Sequence, residues 1–123
     1  DIKWKKKNLT LIIQIEHVDA IDNLEEIFSI ENINGYLIGP YDLSASLGIP
    51  GDFKNKIFKN TVKKIVKIAS KFKLTRGIHV VEPDKRILQE KIKEGFDMIA
   101  YSLDIRMLDV ACRSISSEIK KTK

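Results

Sequence analysis

Four short apolar segments alternate along this chain with four amphipathic segments of helical period. The apolar segments are the predicted strands, at residues 9–16, 36–39, 75–81 and 96–101. The amphipathic segments are the predicted helices, at residues 19–29, 53–73, 83–94 and 104–120. The first apolar segment is rich in isoleucine, which is typical of a strand in a parallel sheet. The alternation predicts an α/β fold of four βα units, either a small open sheet or half of an eightfold barrel.

The 123 residues have the length of one ordinary domain, and no internal linker or low-complexity segment divides them. We therefore expect residues 1–123 to form a single region. Residues 1–8 precede the first strand and are expected to be a flexible segment or part of a preceding helix. The chain lacks an initiator methionine and starts almost directly with a strand, so we expect a piece of a longer polypeptide.

Composition bears on where the protein works. No apolar run approaches the roughly 18 residues that span a bilayer, and the first residues lack the apolar core of a secretory signal. The single cysteine, Cys112, lies in a predicted helix, where a small buried hydrophobe is favoured over a reactive thiol or a metal ligand. These features favour the cytoplasm and no membrane partner.

The formal net charge of +5 raises nucleic acid as a partner. However, 18 of the 22 basic residues are lysine, whereas the planar guanidinium of arginine is better suited to bidentate hydrogen bonds with phosphates and base edges. Lysines 56, 59, 63 and 67 also lie opposite an apolar stripe of one predicted helix, which is the pattern of a solvated helix face. We therefore expect no nucleic-acid partner, although a basic binding module without enzymatic activity stays as an alternative.

Two carboxylates, Glu16 and Asp42, fall where predicted strands end and polar loops begin. In a parallel sheet both would lie at the carboxyl edge, where such folds build their sites. Gln14 shares a strand face with Glu16, and Asp42 follows a Gly-Pro turn whose backbone N–H groups could face a ligand. Two hard oxygen ligands suggest a divalent cation.

Bland interpretations of the same residues remain open. Gln14 and Glu16 could be polar simply because the strand leaves the core at that point, and Asp42 or Ser44 could cap a short following helix. Asp104, at the start of the last predicted helix, is interpreted as a cap.

The two histidines do not by themselves indicate zinc. Structural zinc takes four protein ligands and catalytic zinc usually three, and the cysteine lies far from His17 and His79 in the sequence. We expect packing, hydrogen-bonding or pocket-lining roles for them. The chain also lacks the G-x-S-x-G, P-loop and G-x-G-x-x-G motifs of common nucleophile and nucleotide sites.

Three segments together resemble the HpcH/HpaI aldolase family, which includes citrate-lyase-like enzymes. They are Q-I-E-H at 14–17, N-I-N-G-Y-L-I-G-P-Y-D-L-S at 32–44 and A-Y-S-L-D at 100–104. The resemblance implies a (β/α)₈ TIM barrel, with this chain as its carboxyl-terminal half, strands five to eight. It also implies a homo-oligomer, in which the last helix packs on a neighbouring subunit.

The resemblance further implies site roles. Glu16 and Asp42 would be the protein ligands of a magnesium or manganese ion, and Gln14 would contact the bound keto acid. The backbone N–H groups of Tyr41 and Asp42 would hold the keto acid's carboxylate. His79 stands where relatives often carry an apolar pocket residue, so we expect it to influence the choice of aldehyde. The family's catalytic histidine and arginine come from the amino-terminal half, and no segment here matches those strands.

The function implied is a class II, metal-dependent lyase that reversibly cleaves a 2-keto-hydroxy acid to pyruvate, or a related keto acid, and an aldehyde. This chain alone is expected to be incomplete and inactive or weakly active, with the amino-terminal half of the barrel as its partner. The alternative within the same fold is a citrate-lyase-type carbon–carbon lyase that acts on an acyl-coenzyme A.

Overall fold

A computed structural model of the protein describes residues 9–121. The segment 1–8 lies outside the described residues. The strands are β1 (Leu11–Ile15), β2 (Ile33–Ile38), β3 (Thr75–Val80) and β4 (Met98–Tyr101). The helices are α1 (Val18–Asp22), α2 (Leu24–Ser29), α3 (Pro40–Ser46), α4 (Lys56–Ala69), α5 (Lys85–Lys93) and α6 (Asp104–Lys121).

The strands form one parallel sheet in the order β1-β2-β3-β4, which confirms the α/β prediction. Its register aligns four isoleucines, one from each strand: Ile15, Ile38, Ile78 and Ile99. All four belong to or pack against the hydrophobic core, together with Leu24 and Phe28 of α2 and Phe58 and Ile65 of α4. This face of the sheet is therefore the helix-covered face.

Helix α4 covers the sheet with one face and presents the other to solvent. Phe58, Ile65 and Ala69 are buried, and the lysines at 56, 59, 63 and 67 are exposed, as predicted for a solvated helix face. The helix begins after Asn55, whose side chain accepts a hydrogen bond from the N–H of Ile57 at 2.9 Å.

Two helical regions differ from the sequence prediction. The helix predicted over 19–29 is divided at Asn23, whose φ of −113° and ψ of 15° interrupt the helical path. The polar loop predicted to begin at Asp42 is instead part of the seven-residue helix α3, which begins at Pro40. Gly39 is its N-cap, so neither Asp42 nor Ser44 caps it; Asp42 lies in its first turn.

The prediction of a buried Cys112 was wrong, because its thiol is exposed on α6. The apolar stripe of this helix, which resembles an inward face in sequence, includes Ile105 at 73% exposure and Leu108 at 65%. The described part of the chain does not cover that stripe.

Within residues 9–121, no helix has the length and apolar character required to cross a membrane.

Candidate functional site

The carboxyl edge of the sheet brings together residues from all four strands on the face opposite the isoleucine row. One position beyond Ile15 and Ile38 come Glu16 and Gly39, and one beyond Ile78 and Ile99 come His79 and Ala100. Because side chains alternate faces along a strand, this row lies on the face turned away from the core. Its members alternate between a large polar side chain and a small residue.

Gln14 and Glu16 form the first contact at this edge, because both side chains lie on the same face of β1. Gln14 Nε2 donates a short hydrogen bond to Glu16 Oε2, which orients the carboxylate. Gly39 lies beside both groups: a Cβ built on it would be 2.9 Å from Glu16 Oε2 and 3.0 Å from Gln14 Nε2. The absence of a side chain at Gly39 therefore leaves the space in which this pair sits.

Backbone hydrogen bonds attach the start of α3 to the end of β1. The N–H of Gly39 donates to the carbonyl of Ile15 at 3.2 Å, and the N–H of Leu43 donates to Gly39 at 2.9 Å. Pro40 occupies the first helical turn and has no N–H. The N–H groups of Tyr41 and Asp42 lie in the same turn and lack intrahelical acceptors, so they are available to an anionic group.

Buried contacts fix α3 in this position. Ser44 is fully buried, donates to the carbonyl of Tyr41 at 2.8 Å and accepts from the N–H of Gly51 at 2.9 Å. Leu43 beside it is also fully buried. The Tyr41 ring meets Phe53 edge-on, with centroids 4.9 Å apart. The turn that presents Asp42 is therefore held by the core on one side and by the following loop on the other.

An open cleft of about 320 Å³ lies over this edge. It is lined by Gln14, Gly39, Pro40, Tyr41, Asp42, His79, Val81 and Leu103. Four residues singled out from the sequence, Gln14, Tyr41, Asp42 and His79, thus share one cleft, and Glu16 is joined to it through Gln14. A cleft of this size matches the lower end of small-molecule sites.

His17 lies apart from this group. Its side chain is largely exposed and caps α1, with Nδ1 accepting from the N–H of Asp19 at 3.3 Å. Within residues 9–121, no cluster of three or more His, Cys, Asp or Glu side chains has the geometry to hold a metal ion.

An ion-pair network ties α6 to the loop after β3. Arg106 contacts Glu82 at 2.7 Å and also binds Asp109, which in turn accepts from Arg113 at 2.6 Å. The hydrogen bond from Arg113 lowers the pKa of Asp109, and the Glu82 carboxylate raises the pKa of Arg106. The network fixes the start of α6 next to Leu103 on the rim of the cleft.

Sequence reasoning missed Val81, Ser102 and Leu103 as parts of this edge, and it used Gly39 only as part of a turn, not for the space that it leaves beside Glu16. Ser102 is 8% exposed and adopts a left-handed backbone conformation with φ of 59°, and its carbonyl oxygen lies 3.2 Å from His79 Nε2. A serine carries no sequence signal for positive φ. The glycine at position 39, by contrast, could have indicated a place where another side chain approaches the backbone closely.

Comparisons with known proteins agree on one family. The model of the HpcH/HpaI aldolase/citrate lyase family matches residues 1–110. Hydroxypyruvate/pyruvate aldolase of Roseobacter denitrificans is 32% identical over 111 residues, which are 90% of this chain and 43% of that enzyme. A 2-keto-3-deoxy-L-rhamnonate aldolase of Escherichia coli is 33% identical over 97 residues, which are 79% of this chain and 36% of that enzyme.

The fold has a close match among solved structures. An HpcH/HpaI aldolase from Desulfitobacterium hafniense superposes with a TM-score of 0.87 at 23% identity, covering 97% of this chain and 46% of that one. The chain thus spans less than half the length of each of these relatives. Its four βα units correspond to part of a TIM-barrel aldolase, as predicted.

Proposed function

Because this chain belongs to the HpcH/HpaI aldolase/citrate lyase family, we propose that it is the carboxyl-terminal half, strands five to eight, of a single (β/α)₈ barrel domain in a class II aldolase. The reaction is the reversible cleavage of a 2-keto-hydroxy acid to pyruvate, or a related keto acid, and an aldehyde. The observation that carries the proposal is the Gln14–Glu16 pair beside Gly39, at the edge of the cleft that Asp42 lines.

The donor set fits magnesium or manganese. Both ions prefer hard oxygen ligands, and Glu16 and Asp42 supply one carboxylate each, which leaves room for substrate oxygens and water. The space at Gly39 supports the same interpretation, because it lets the Glu16 carboxylate lie close to the backbone. When bound, the cation supplies Lewis-acid stabilisation of the negative charge that develops on the keto acid.

The remaining groups of the cleft fit a keto acid. The N–H groups of Tyr41 and Asp42, in the first turn of α3, would donate to its carboxylate, aided by the positive end of the helix. Gln14 would hold Glu16 in place through its present hydrogen bond and contact the keto acid with its remaining amide groups. Such preorganised donors contribute most when they meet charge that develops in the transition state.

Proton transfer is assigned to the other half of the barrel. His17 caps α1 outside the cleft, and the expected catalytic histidine and arginine would come from strands one to four. The sheet supports such a partner half: Ile12, Leu37 and Met98, on the face opposite the helices, lie outside the core of the described chain. Parallel sheets are normally covered on both faces.

The test uses full-length protein with Mn²⁺ and a keto-hydroxy acid, and follows pyruvate release with a coupled reductase. Glu16→Gln and Asp42→Asn should each lower kcat/KM by about 100-fold or more, since each removes a ligand of the group that stabilises the developing charge. Both should also weaken Mn²⁺ binding in a calorimetric titration. Glu90→Gln, an equivalent change at an exposed position of α5, is the matched control and should change neither.

Three results would contradict the proposal. Activity of Glu16→Gln equal to that of Glu90→Gln would remove Glu16 from the site. Efficient cleavage of an acyl-coenzyme A in place of free keto acids would indicate the citrate-lyase type. A salt-dependent complex with nucleic acid together with no Mn²⁺ binding would indicate a basic binding module.

A homo-oligomer and a cytoplasmic location complete the proposal. Ile105, Leu108, Cys112, Ile115 and Ile119 follow one another at intervals of three and four residues on α6, and all are exposed. Such a stripe is the seam by which helices pack on one another, and a second copy of the protein supplies the matching stripe. The thiol of Cys112 in this stripe suits a reducing compartment.

The oligomer is tested by sedimentation of full-length protein. Leu108→Lys places a charge in the seam and should lower the assembly state, because a desolvated lysine has no partner there. Ser114→Lys adds the same charge away from the seam and should leave the assembly intact. Unchanged sedimentation of Leu108→Lys would exclude the stripe as the interface.

A further inference from the structure

His79 has a hydrogen-bond partner that decides how its ring is protonated. Its Nε2 lies 3.2 Å from the carbonyl oxygen of Ser102, the ring's hydrogen-bond partner among the described residues. A carbonyl oxygen can only accept, so Nε2 must carry a proton. In the neutral ring Nδ1 is then unprotonated and acts as a hydrogen-bond acceptor.

The backbone of Ser102 is shaped to make this contact. Its φ of 59° is uncommon for a residue with a side chain, and its N–H donates to the carbonyl of Val80 at 2.7 Å. The left-handed turn thus joins the end of β4 to the strand that carries His79. Within the described chain the buried hydroxyl of Ser102 has no partner, so the contribution of this residue to the edge comes from its backbone.

The position of His79 in the cleft suits its Nδ1 for contact with a substrate. Under the proposed function Gln14 and Asp42 serve the keto acid and the cation, on the side of β1 and α3. His79 lies on β3, and its neighbours in the cleft, Val81 and Leu103, are apolar. Such surroundings suit the aldehyde half of the substrate, for which His79 is the polar contact.

We propose that His79 determines specificity by accepting, at Nδ1, a hydrogen bond from a hydroxyl group of the aldehyde, and that Ser102 is the positioning residue that fixes its tautomer. The class of substrate selected is a hydroxyaldehyde over an unsubstituted aldehyde of similar size. This inference rests on the proposed aldolase function. An acceptor that the bound aldehyde covers but does not pair with disfavours the unsubstituted aldehyde, so the preference follows from the unmade hydrogen bond.

The substrate test compares glycolaldehyde with acetaldehyde in the Mn²⁺-dependent addition to pyruvate by full-length protein. The measured quantity is the ratio of the two kcat/KM values, which cancels a general loss of activity. His79→Leu should lower the preference for glycolaldehyde by about tenfold, the effect of one hydrogen bond. His79→Asn retains an acceptor oxygen near the position of Nδ1 and should keep most of the preference. An unchanged ratio in His79→Leu overturns the proposal.

The positioning role is tested at Ser102. Ser102→Val disfavours the left-handed conformation and should lower the same ratio, whereas Ser102→Gly adopts it freely and should retain the preference. Lys73→Val is the matched control. The backbone of Lys73 is also left-handed, with φ of 53°, but Lys73 lies before the amino end of β3, whereas His79 lies near its carboxyl end. If Lys73→Val lowers the ratio as much as Ser102→Val does, backbone strain explains the effect and the positioning role fails.

A nitrogen NMR measurement of ring protonation separates this inference from the proposed function. In ¹⁵N-histidine-labelled full-length protein, measured at a pH at which the ring is neutral, His79 should show a protonated Nε2 and an unprotonated Nδ1. Protonation at Nδ1 alone would overturn the inference whatever the activity. If the predicted tautomer is found but no aldehyde adds to pyruvate, the proposed function fails and the substrate role of His79 fails with it.

Discussion

Replacing Gly39 with alanine should disturb the metal site without unfolding the protein. The added Cβ would lie 2.9 Å from Glu16 Oε2 and 3.0 Å from Gln14 Nε2, about 0.5 Å and 0.4 Å short of ordinary contact, which begins at 3.4 Å. Its φ of −92° and ψ of 93° are open to alanine, so the backbone does not resist the change. The carboxylate and amide must therefore move, and they move at the far ends of flexible side chains.

The change in stability should be smaller than the change in metal affinity. Overpacking costs roughly 1–3 kcal/mol in a rigid core, and the loss of unfolded-chain entropy on changing Gly to Ala returns about 0.4–1 kcal/mol. Because the displaced atoms are half-exposed, we expect the free energy of unfolding of Gly39→Ala to change by less than about 1 kcal/mol. Displacing a ligand and its orienting partner typically weakens metal affinity by about 10- to 100-fold, and this is the loss that we expect for Mn²⁺.

The assay is a calorimetric Mn²⁺ titration of full-length protein, combined with urea unfolding. Gly48→Ala is the control, because Gly48 has φ of 75° and its Cβ would meet nothing within 4 Å. That variant should lose about 1 kcal/mol or more of stability through backbone strain and bind Mn²⁺ normally. If Gly39→Ala binds Mn²⁺ as tightly as wild type, the Gln14–Glu16 pair does not hold the ion and the reasoning is refuted.

Two further predictions concern stability against pH. Burial raises the pKa of Tyr36 to about 12, against the opposing charge of Arg76. The unfolded phenol ionises near pH 10, so this stability is present below pH 10 and lost between pH 10 and 12, by roughly 2–3 kcal/mol in total. Tyr36→Phe should abolish that loss in urea unfolding at pH 8 and 11, and an equal alkaline loss in the variant would assign it elsewhere. A hydrogen bond from Lys71, at 2.5 Å, lowers the pKa of Glu25 below its ordinary value of 4.5. This contribution is present above pH 4.5 and lost as the pH falls through the folded pKa, so Lys71→Met should lower the Tm slightly at pH 7 and not at pH 2. A Tm difference that persists at pH 2 would mean that Lys71 acts through packing.

Local sequence rules predicted the parts of the site that depend on one element. The period of two along β1 places Gln14 and Glu16 on one face, and the observed hydrogen bond between them agrees with it. The βα alternation correctly predicted four strands in a parallel sheet, because strands joined by crossover helices run in the same direction. The metal and substrate roles of these residues stay predictions until they are tested by binding and kinetics.

Features that depend on contacts between elements were beyond those rules. The space at Gly39 exists because β1 lies next to β2, and the strand sequences do not state which atoms meet there. Ser102 adopts φ of 59° because β4 must turn back towards β3, not because serine favours it. Cys112 was predicted to be buried because a lone cysteine in a helix is usually a small buried hydrophobe, and the sequence of the helix does not state which surface covers it.

The two proposals assign different ends of the carboxyl edge to different parts of the substrate. Glu16 follows β1, Gly39 follows β2 and His79 lies on β3, and the space at Gly39 holds the Gln14–Glu16 pair. If Glu16 serves the cation and His79 the aldehyde, then Gly39→Ala should change Mn²⁺ affinity and His79→Leu the aldehyde ratio. The double variant should show both losses at the sizes of the single variants, since changes without shared contacts add. A loss of aldehyde preference in the single variant Gly39→Ala would mean that the proposed cation and aldehyde sites are not independent.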